Sequence, residues 1–359
     1  AFDENFDMYS KEAYLKAREL YNEFKSKGIY EKDEKSSYYL YELTMNGRSQ
    51  IGIVGLSSVD DYLNGIIKKH EKTREEKEID RINHVDIVNA QTGPIFLAYK
   101  KNDELQKIIS ENILFEPIYD FVSDDEIRHR VWEIDKDYND QIFECFKNIP
   151  ALYIADGHHR AASAVKVALK RREKENDIEA EYNYFLSVIF DERQLHILPY
   201  NRIVLDYNGK SAKEVLELIS ENFEMAESPI LEEIKDKHEF GMLINDKFFV
   251  LRAKKNVLDA VNGDTIRSLD VSILQDLVLD PIFGIKDPRT DERIKFAGGI
   301  RGVSYLESEL KDGKGVVAFL MHPTSMEELF AVADDNKLMP PKSTWFEPKL
   351  RSGIFIHEI

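Results

Sequence analysis

The segment Ala155-Asp156-Gly157-His158-His159-Arg160 packs an acid, a glycine, two imidazoles and a guanidinium into consecutive positions. A short apolar run, Ala151-Leu152-Tyr153-Ile154, leads into it, and Ala161, Val165 and Ala168 follow at helical spacing. The pattern predicts a strand, a tight turn and a helix. Open α/β sheets place ligands at the carboxyl ends of their strands, and Gly157 lets the chain turn sharply there. The unpaired N–H groups and dipole of the first helical turn, joined by His158, His159 and Arg160, would make an anion pocket suited to phosphate. Asp156 is placed to hold a divalent cation bridging that phosphate. The plainer alternative is that Asp156 caps the helix and its neighbours solvate the helix end. Four functional side chains within five positions after a buried strand weigh against it. A zinc site shared by the two histidines is disfavoured, because neighbours on a helix point about 100° apart.

Three other clusters could supply the remaining chemistry. In His70-Glu71-Lys72-Thr73, Glu71 is a candidate general base for a substrate hydroxyl, with His70 or Thr73 orienting ligand groups. A solvated glutamate is the ordinary reading in so charged a neighbourhood, and Asp80 and Arg81 allow the same reading. Pro340-Pro341-Lys342-Ser343-Thr344-Trp345-Phe346-Glu347-Pro348-Lys349 stiffens a loop that presents two lysines and two hydroxyls. It could seal a phosphate-bearing site or serve as a C-terminal clasp. Tyr200-Asn201-Arg202 is weaker, since its arginine could simply flank a strand.

These residues need elements to hold them. Ala13, Ala17, Leu20, Tyr21 and Phe24 share one helical face, closed by Gly28. Residues 37–59 predict a β-hairpin turning at Asn46-Gly47. A loop and polar helix follow between Gly65 and Thr92, then a buried strand over 94–99, strands near 112–121 and 128–135, and a helix over 141–147. After the helix that begins at His158, whose charged tail runs from Lys170 to Asn176, strands over 183–190 and 195–205 close a first unit. The rest predicts helices near 211–222, 269–279 and 325–334, a hairpin at Asn245-Asp246, a strand-containing region over 294–321 and a last strand. The expected division is residues 1–205 as a catalytic unit that binds nucleotide or phosphate and 206–359 as a C-terminal α/β unit, with a mixed α/β fold throughout.

At 359 residues the chain has room for two packed units. Its 67 acidic against 49 basic residues give a formal charge of −18, which would repel nucleic acid and anionic lipid. Cys145 is the single cysteine, so neither an intrachain disulfide nor a cysteine-based zinc site can form within one chain, and a reducing compartment is expected. No apolar run approaches the roughly 20 residues of a membrane helix, and Ala1-Phe2-Asp3-Glu4 lacks the features of a signal peptide. The expectation is a cytoplasmic protein with no membrane or nucleic-acid partner. A homodimer is compatible with this reading.

Taken together, His70-Glu71-Lys72-Thr73, Ala155 to Arg160, Tyr200-Asn201-Arg202 and Pro340 to Lys349 resemble the bacterial and archaeal domain-of-unknown-function 1015 family, over nearly the whole chain. The Asp156–Arg160 turn also resembles that of the ParB and sulfiredoxin superfamily, whose members bind nucleotide phosphates there and include free-serine kinases. The resemblance implies a ParB/sulfiredoxin-like core with a mixed sheet, joined to a second α/β unit. It implies Glu71 as catalytic base, with Asp156 and His158 beside it in the catalytic group. Gly157, His158, His159, Arg160, Lys342 and Thr344 become phosphate or nucleotide contacts, His70, Thr73 and Arg202 substrate contacts, and Asp156 the ligand of Mg2+. Relatives usually carry additional sequence before the point where this chain begins, and the second half has no counterpart in the small serine kinases.

The implied activity is phosphoryl transfer between ADP or ATP and a small hydroxylated metabolite, free serine first. A nucleotide-binding regulatory switch without metabolite turnover and a phosphatase of a small phosphorylated metabolite are the alternatives.

Overall fold

A computed structural model describes residues 7–73, 75–175 and 177–359; the opening Ala1-Phe2-Asp3-Glu4 and Asn176 lie outside them. The first helix, α1 (Lys11–Ser26), is capped by the Ser10 side chain on the Ala13 N–H, and Gly28 follows with φ +66°. The hairpin forms as its turn dipeptide requires: β1 (Tyr39–Met45) and β2 (Arg48–Ser58) pair antiparallel around Asn46 and Gly47, both at positive φ. Next come α2 (Val59–Leu63), the two-residue strand β3 (Ile67–Lys68), the polar helix α3 (Glu75–Val88), β4 (Ala90–Gln91) and the fully buried β5 (Ile95–Tyr99). A helix, α4 (Asp103–Asn112), occupies ground the periodicity did not mark; Asn102 caps it, and Leu105, Ile108 and Ile109 turn inward. Then follow β6 (Tyr119–Val122), β7 (Arg128–Glu133), α5 (Asn139–Lys147), β8 (Leu152–Asp156), α6 (His158–Arg172) and β9 (Tyr184–Asp191).

These strands make one mixed eight-stranded sheet in the order β3-β8-β5-β9-β2-β1-β7-β6. The pairs β3/β8 and β5/β9 are parallel and the others antiparallel. One sheet face supplies Leu40, Ile53, Leu97, Ile154 and Phe185 to a core completed by Leu105 and Ile109 of α4 and Ala161, Val165 and Ala168 of α6. The small residues on α6 allow the helix to lie close to the sheet, so α6 is held firmly at the end of β8.

The second unit carries β10 (Ile197–Leu198), β11 (Tyr200–Val204), α7 (Ala212–Asn222), β12 (Phe223–Ser228), β13 (Glu239–Ile244), β14 (Lys247–Ala253), α8 (Lys255–Val261), α9 (Asp270–Leu274), β15 (Ile294–Gly298), α10 (Gly302–Lys311), β16 (Val317–Met321), α11 (Met326–Asp334) and β17 (Trp345–Phe346). A π-helical turn, Gln275–Leu279, continues α9. Its six-stranded sheet, ordered β12-β14-β13-β16-β11-β15, is antiparallel at every pairing. Reciprocal capping boxes, Ser211 with Glu214 and Ser325 with Glu328, start α7 and α11.

The chain divides into residues 1–195 with 348–359, and residues 196–347. The boundary expected between 205 and 206 therefore falls ten residues earlier. The reason is the pairing of β11 with β15 and β16, which makes 200–204 part of the second sheet. The last twelve residues return to the first unit, where β18 (His357–Glu358) pairs with β4, Arg351 bonds Asp125 and the Phe355 ring packs on Tyr39 and Tyr41. The fold is the expected mixed α/β class, with a mixed sheet and a second α/β unit. No helix among the described residues is long and apolar enough to cross a membrane.

Candidate active site

The parallel pairing of β3 with β8 puts Ile67 beside Leu152 and Lys68 beside Tyr153. Parallel strands end on the same side, so the chain leaves β3 into His70-Glu71 where it leaves β8 into Asp156-Gly157. Two segments more than 80 residues apart thus meet at one corner.

Gly157 precedes α6 in the left-handed region, at φ +97°. A Cβ there would lie 2.9 Å from Nε of Arg160, whose guanidinium folds back over the turn. Arg160 Nη2 donates to Oδ2 of Asp156 at 2.9 Å, and Nζ of Lys349 reaches Oδ1 at 3.4 Å. Gly93, between β4 and β5, leaves room for Arg160 Nη1 and the Ser352 hydroxyl. The corner therefore combines the amino end of a 15-residue helix with two cations, one from the helix and one from the returning C-terminal segment.

His158 points inward and is 5% exposed. The His70 N–H donates to its Nε2 at 3.4 Å, which leaves the ring proton on Nδ1. That nitrogen lies 3.8 Å from Oε2 of Glu71, whose side chain is 48% exposed. The His70 ring sits edge-on to His158 with centroids 4.5 Å apart and bonds the Ile154 backbone. Burial drives the pKa of His158 well below 6.5, reinforced by the His70, His159 and Lys69 charges, and burial pulls His70 down to about 4. Both rings are neutral at pH 7. His158, expected as a phosphate contact and in the catalytic group, is a buried, neutral side chain between β3 and α6 with Nδ1 3.8 Å from the Glu71 carboxylate.

This pair carries a pH signature. The unfolded chain binds protons at histidine below about pH 6.5, whereas the folded chain leaves His70 neutral down to about pH 4. Stability is complete above pH 6.5 and declines as pH falls from there through about 4, by roughly 3 kcal/mol for a shift of this size at His70. Denaturant melts at pH 7.0 and 5.0 should show the loss. Its reduction in a His70→Gln chain would assign it, and an equal loss there would refute the assignment.

The other sequence candidates distribute as follows. Thr73 hydrogen-bonds Glu78, a buried carboxylate on α3 that also takes Lys166 of α6. Thr73 is thus engaged in holding α3 to α6 beside His159. The Glu78–Lys166 pair was not singled out from the sequence: it lies within a run of charged residues, and its inward face shows only once α3 packs on α6. Asp80 bonds the Tyr14 hydroxyl and Arg81. Asp156, expected as a metal ligand, spends its oxygens on Arg160 and Lys349, and no group of three or more acidic, histidine or cysteine side chains among the described residues could hold a metal ion. Of the Pro340–Lys349 cluster, Lys349 joins this corner, whereas Lys342 and Thr344 lie in the second unit. There the Lys342 carbonyl takes a hydrogen bond from the similarly placed Arg202, and Lys342 Nζ lies over the Tyr200 ring.

Comparison with known proteins gives three kinds of result. Residues 1–272 match the family model described as a protein of unknown function, DUF1015. Among solved structures, a mutant free serine kinase in complex with AMP is 15% identical, with 83% of this chain and 91% of that chain covered at a TM-score of 0.40. SbnI with a C-terminal truncation, from Staphylococcus aureus, is 12% identical, with 82% of each chain covered and a TM-score of 0.43. A conserved hypothetical protein from Pyrococcus furiosus is 16% identical, covering 83% of this chain and 94% of that one, with a TM-score of 0.37. No curated protein matches the chain.

Proposed function

The chain belongs to the DUF1015 family, and from that premise we propose that it is a kinase-type phosphotransferase acting on a small hydroxylated metabolite. The observation that carries the reading is the approach of Glu71 to the amino end of α6, 3.8 Å from His158 Nδ1, across 87 residues of sequence. Phosphoryl transfer needs an anion cradle and a base, and little else from the protein. The amides after Gly157, with Arg160 and Lys349, supply the cradle, and a half-exposed carboxylate supplies the base.

In this proposal the terminal phosphate of ADP or ATP lies against the first turn of α6. The Glu71 carboxylate takes the proton from the substrate hydroxyl as its oxygen bonds to phosphorus. The bridging P–O bond breaks, and its electron pair stays on the departing nucleotide. Neutral His158 positions Glu71 without placing a second charge beside it. Asp156 would hold Mg2+ brought by the nucleotide, and the ion would neutralise charge on the phosphates. Free serine is the first choice of substrate, on the resemblance of the Asp156–Arg160 turn to that of free-serine kinases.

Incubation with serine, Mg2+ and ADP or ATP, followed by 31P NMR, is expected to show phosphoserine growing as nucleotide is consumed. Nucleotide binding with no phosphoserine would favour the regulatory switch. Release of phosphate from added phosphoserine without nucleotide would favour the phosphatase.

A further inference from the structure

Arg202 lies in β11, between β15 and β16, and is 3% exposed. Its guanidinium donates to two neutral acceptors, the backbone carbonyls of Tyr200 and Lys342, and rests 5.6 Å from the centroid of the Phe296 ring. No carboxylate among the described residues acts on its charge. Burial lowers its pKa to about 10, so it stays protonated at pH 7. A desolvated cation with no counter-charge is among the most expensive things a core can contain.

Arg202 also lines a cavity of about 290 Å3 within the second unit. That volume is near the roughly 300 Å3 lower end of small-molecule sites. Among the residues around it the single acid, Asp287, is already committed to Arg289 through two parallel bonds of 2.9 and 2.7 Å. Buried Arg202 and exposed Lys286 remain unmatched by any acid of the lining. The rest of the wall is largely apolar, with Phe296, Pro340 and Pro341 among it, and one side is built from the π-helical turn after α9. Such turns recur at functional sites.

We propose that the second unit binds a small organic oxyanion, whose carboxylate or phosphate head pairs with Arg202 and whose body lies against Phe296 and the paired prolines. The guanidinium fork suits a two-oxygen head, and Lys286 adds a second positive charge as the ligand enters. The site consists entirely of residues 202–341, within the second unit.

The test is calorimetric titration of the full chain with malonate and with inorganic phosphate, alongside Arg202→Met and Lys286→Ala. Wild type is expected to bind malonate at one site. Arg202→Met should weaken it by ~10²-fold or more and Lys286→Ala by about 10-fold. Removing an unmatched buried charge should also leave the ligand-free Arg202→Met chain melting at or above wild type. If that variant does not fold, Lys286→Ala and the wild-type stoichiometry decide the matter. A Gly157→Val chain separates the two anion sites, and undiminished malonate binding in it is the expected result. Binding of neither anion by wild type at 10 mM would overturn the proposal. So would malonate affinity unchanged in Lys286→Ala and any folded Arg202→Met, or lost in Gly157→Val.

Discussion

Glu71→Gln is expected to lower kcat for phosphoryl transfer by ~10²–10⁴-fold, the range for loss of a positioned general base. The KM for nucleotide should change little. Glutamine keeps the size and the exposed setting of Glu71, so the fold should be undisturbed, and the side chain lies 3.8 Å from Nδ1 of His158. Steady-state kinetics with a melting curve for the same protein would check this. A loss of kcat without a rise in KM marks an interaction made in the transition state. Undiminished turnover would remove Glu71 from the chemistry while leaving the anion cradle intact.

The second large effect is expected at Gly157. Its φ of +97° is a conformation that side-chain-bearing residues rarely adopt, and a Cβ would press on Nε of Arg160 at 2.9 Å. Gly157→Val should therefore destabilise the chain by about 1–3 kcal/mol and push the guanidinium off the turn. Because Arg160 pairs with Asp156 through that folded-back position, the cradle should lose its geometry with it. Nucleotide affinity is expected to fall by ~10²-fold, the scale of a misplacement of about 1 Å in a preorganised site. Calorimetry with ADP reports the affinity and thermal unfolding the strain. Unchanged affinity in a folded variant would show that phosphate does not sit on this turn.

The corner itself was legible because its signals are local. Ala151–Ile154, Gly157 and the spacing of Ala161, Val165 and Ala168 each act within a few residues, and the structure keeps β8, a left-handed glycine and α6 where they predict them. The hairpins at Asn46-Gly47 and Asn245-Asp246 were readable for the same reason. The approach of Glu71 rests on a parallel pairing of two residues, Ile67 and Lys68, which leaves no periodic trace. The resemblance of His70-Glu71-Lys72-Thr73 to a family motif, and no pattern within the segment, pointed there. His158 shows a different limit: its type suggests a charge at the helix end, and its burial removes that charge. The Pro340–Lys349 run is split because Lys349 follows the C-terminal segment back to β4, and a contiguous motif cannot announce that its ends lie in different units. At Asp156, a sequence does not show that two cations 4 and 193 positions away reach its oxygens.

The most direct measurement is a crystal structure of the chain grown with ADP and magnesium. The terminal phosphate is expected within hydrogen-bonding distance of the amides of His158 to Arg160, with Arg160 and Lys349 turned toward it and the Glu71 carboxylate on the side where a hydroxyl would enter. Nucleotide density elsewhere on the chain, with the Gly157 corner still closed by Arg160 on Asp156, would contradict it.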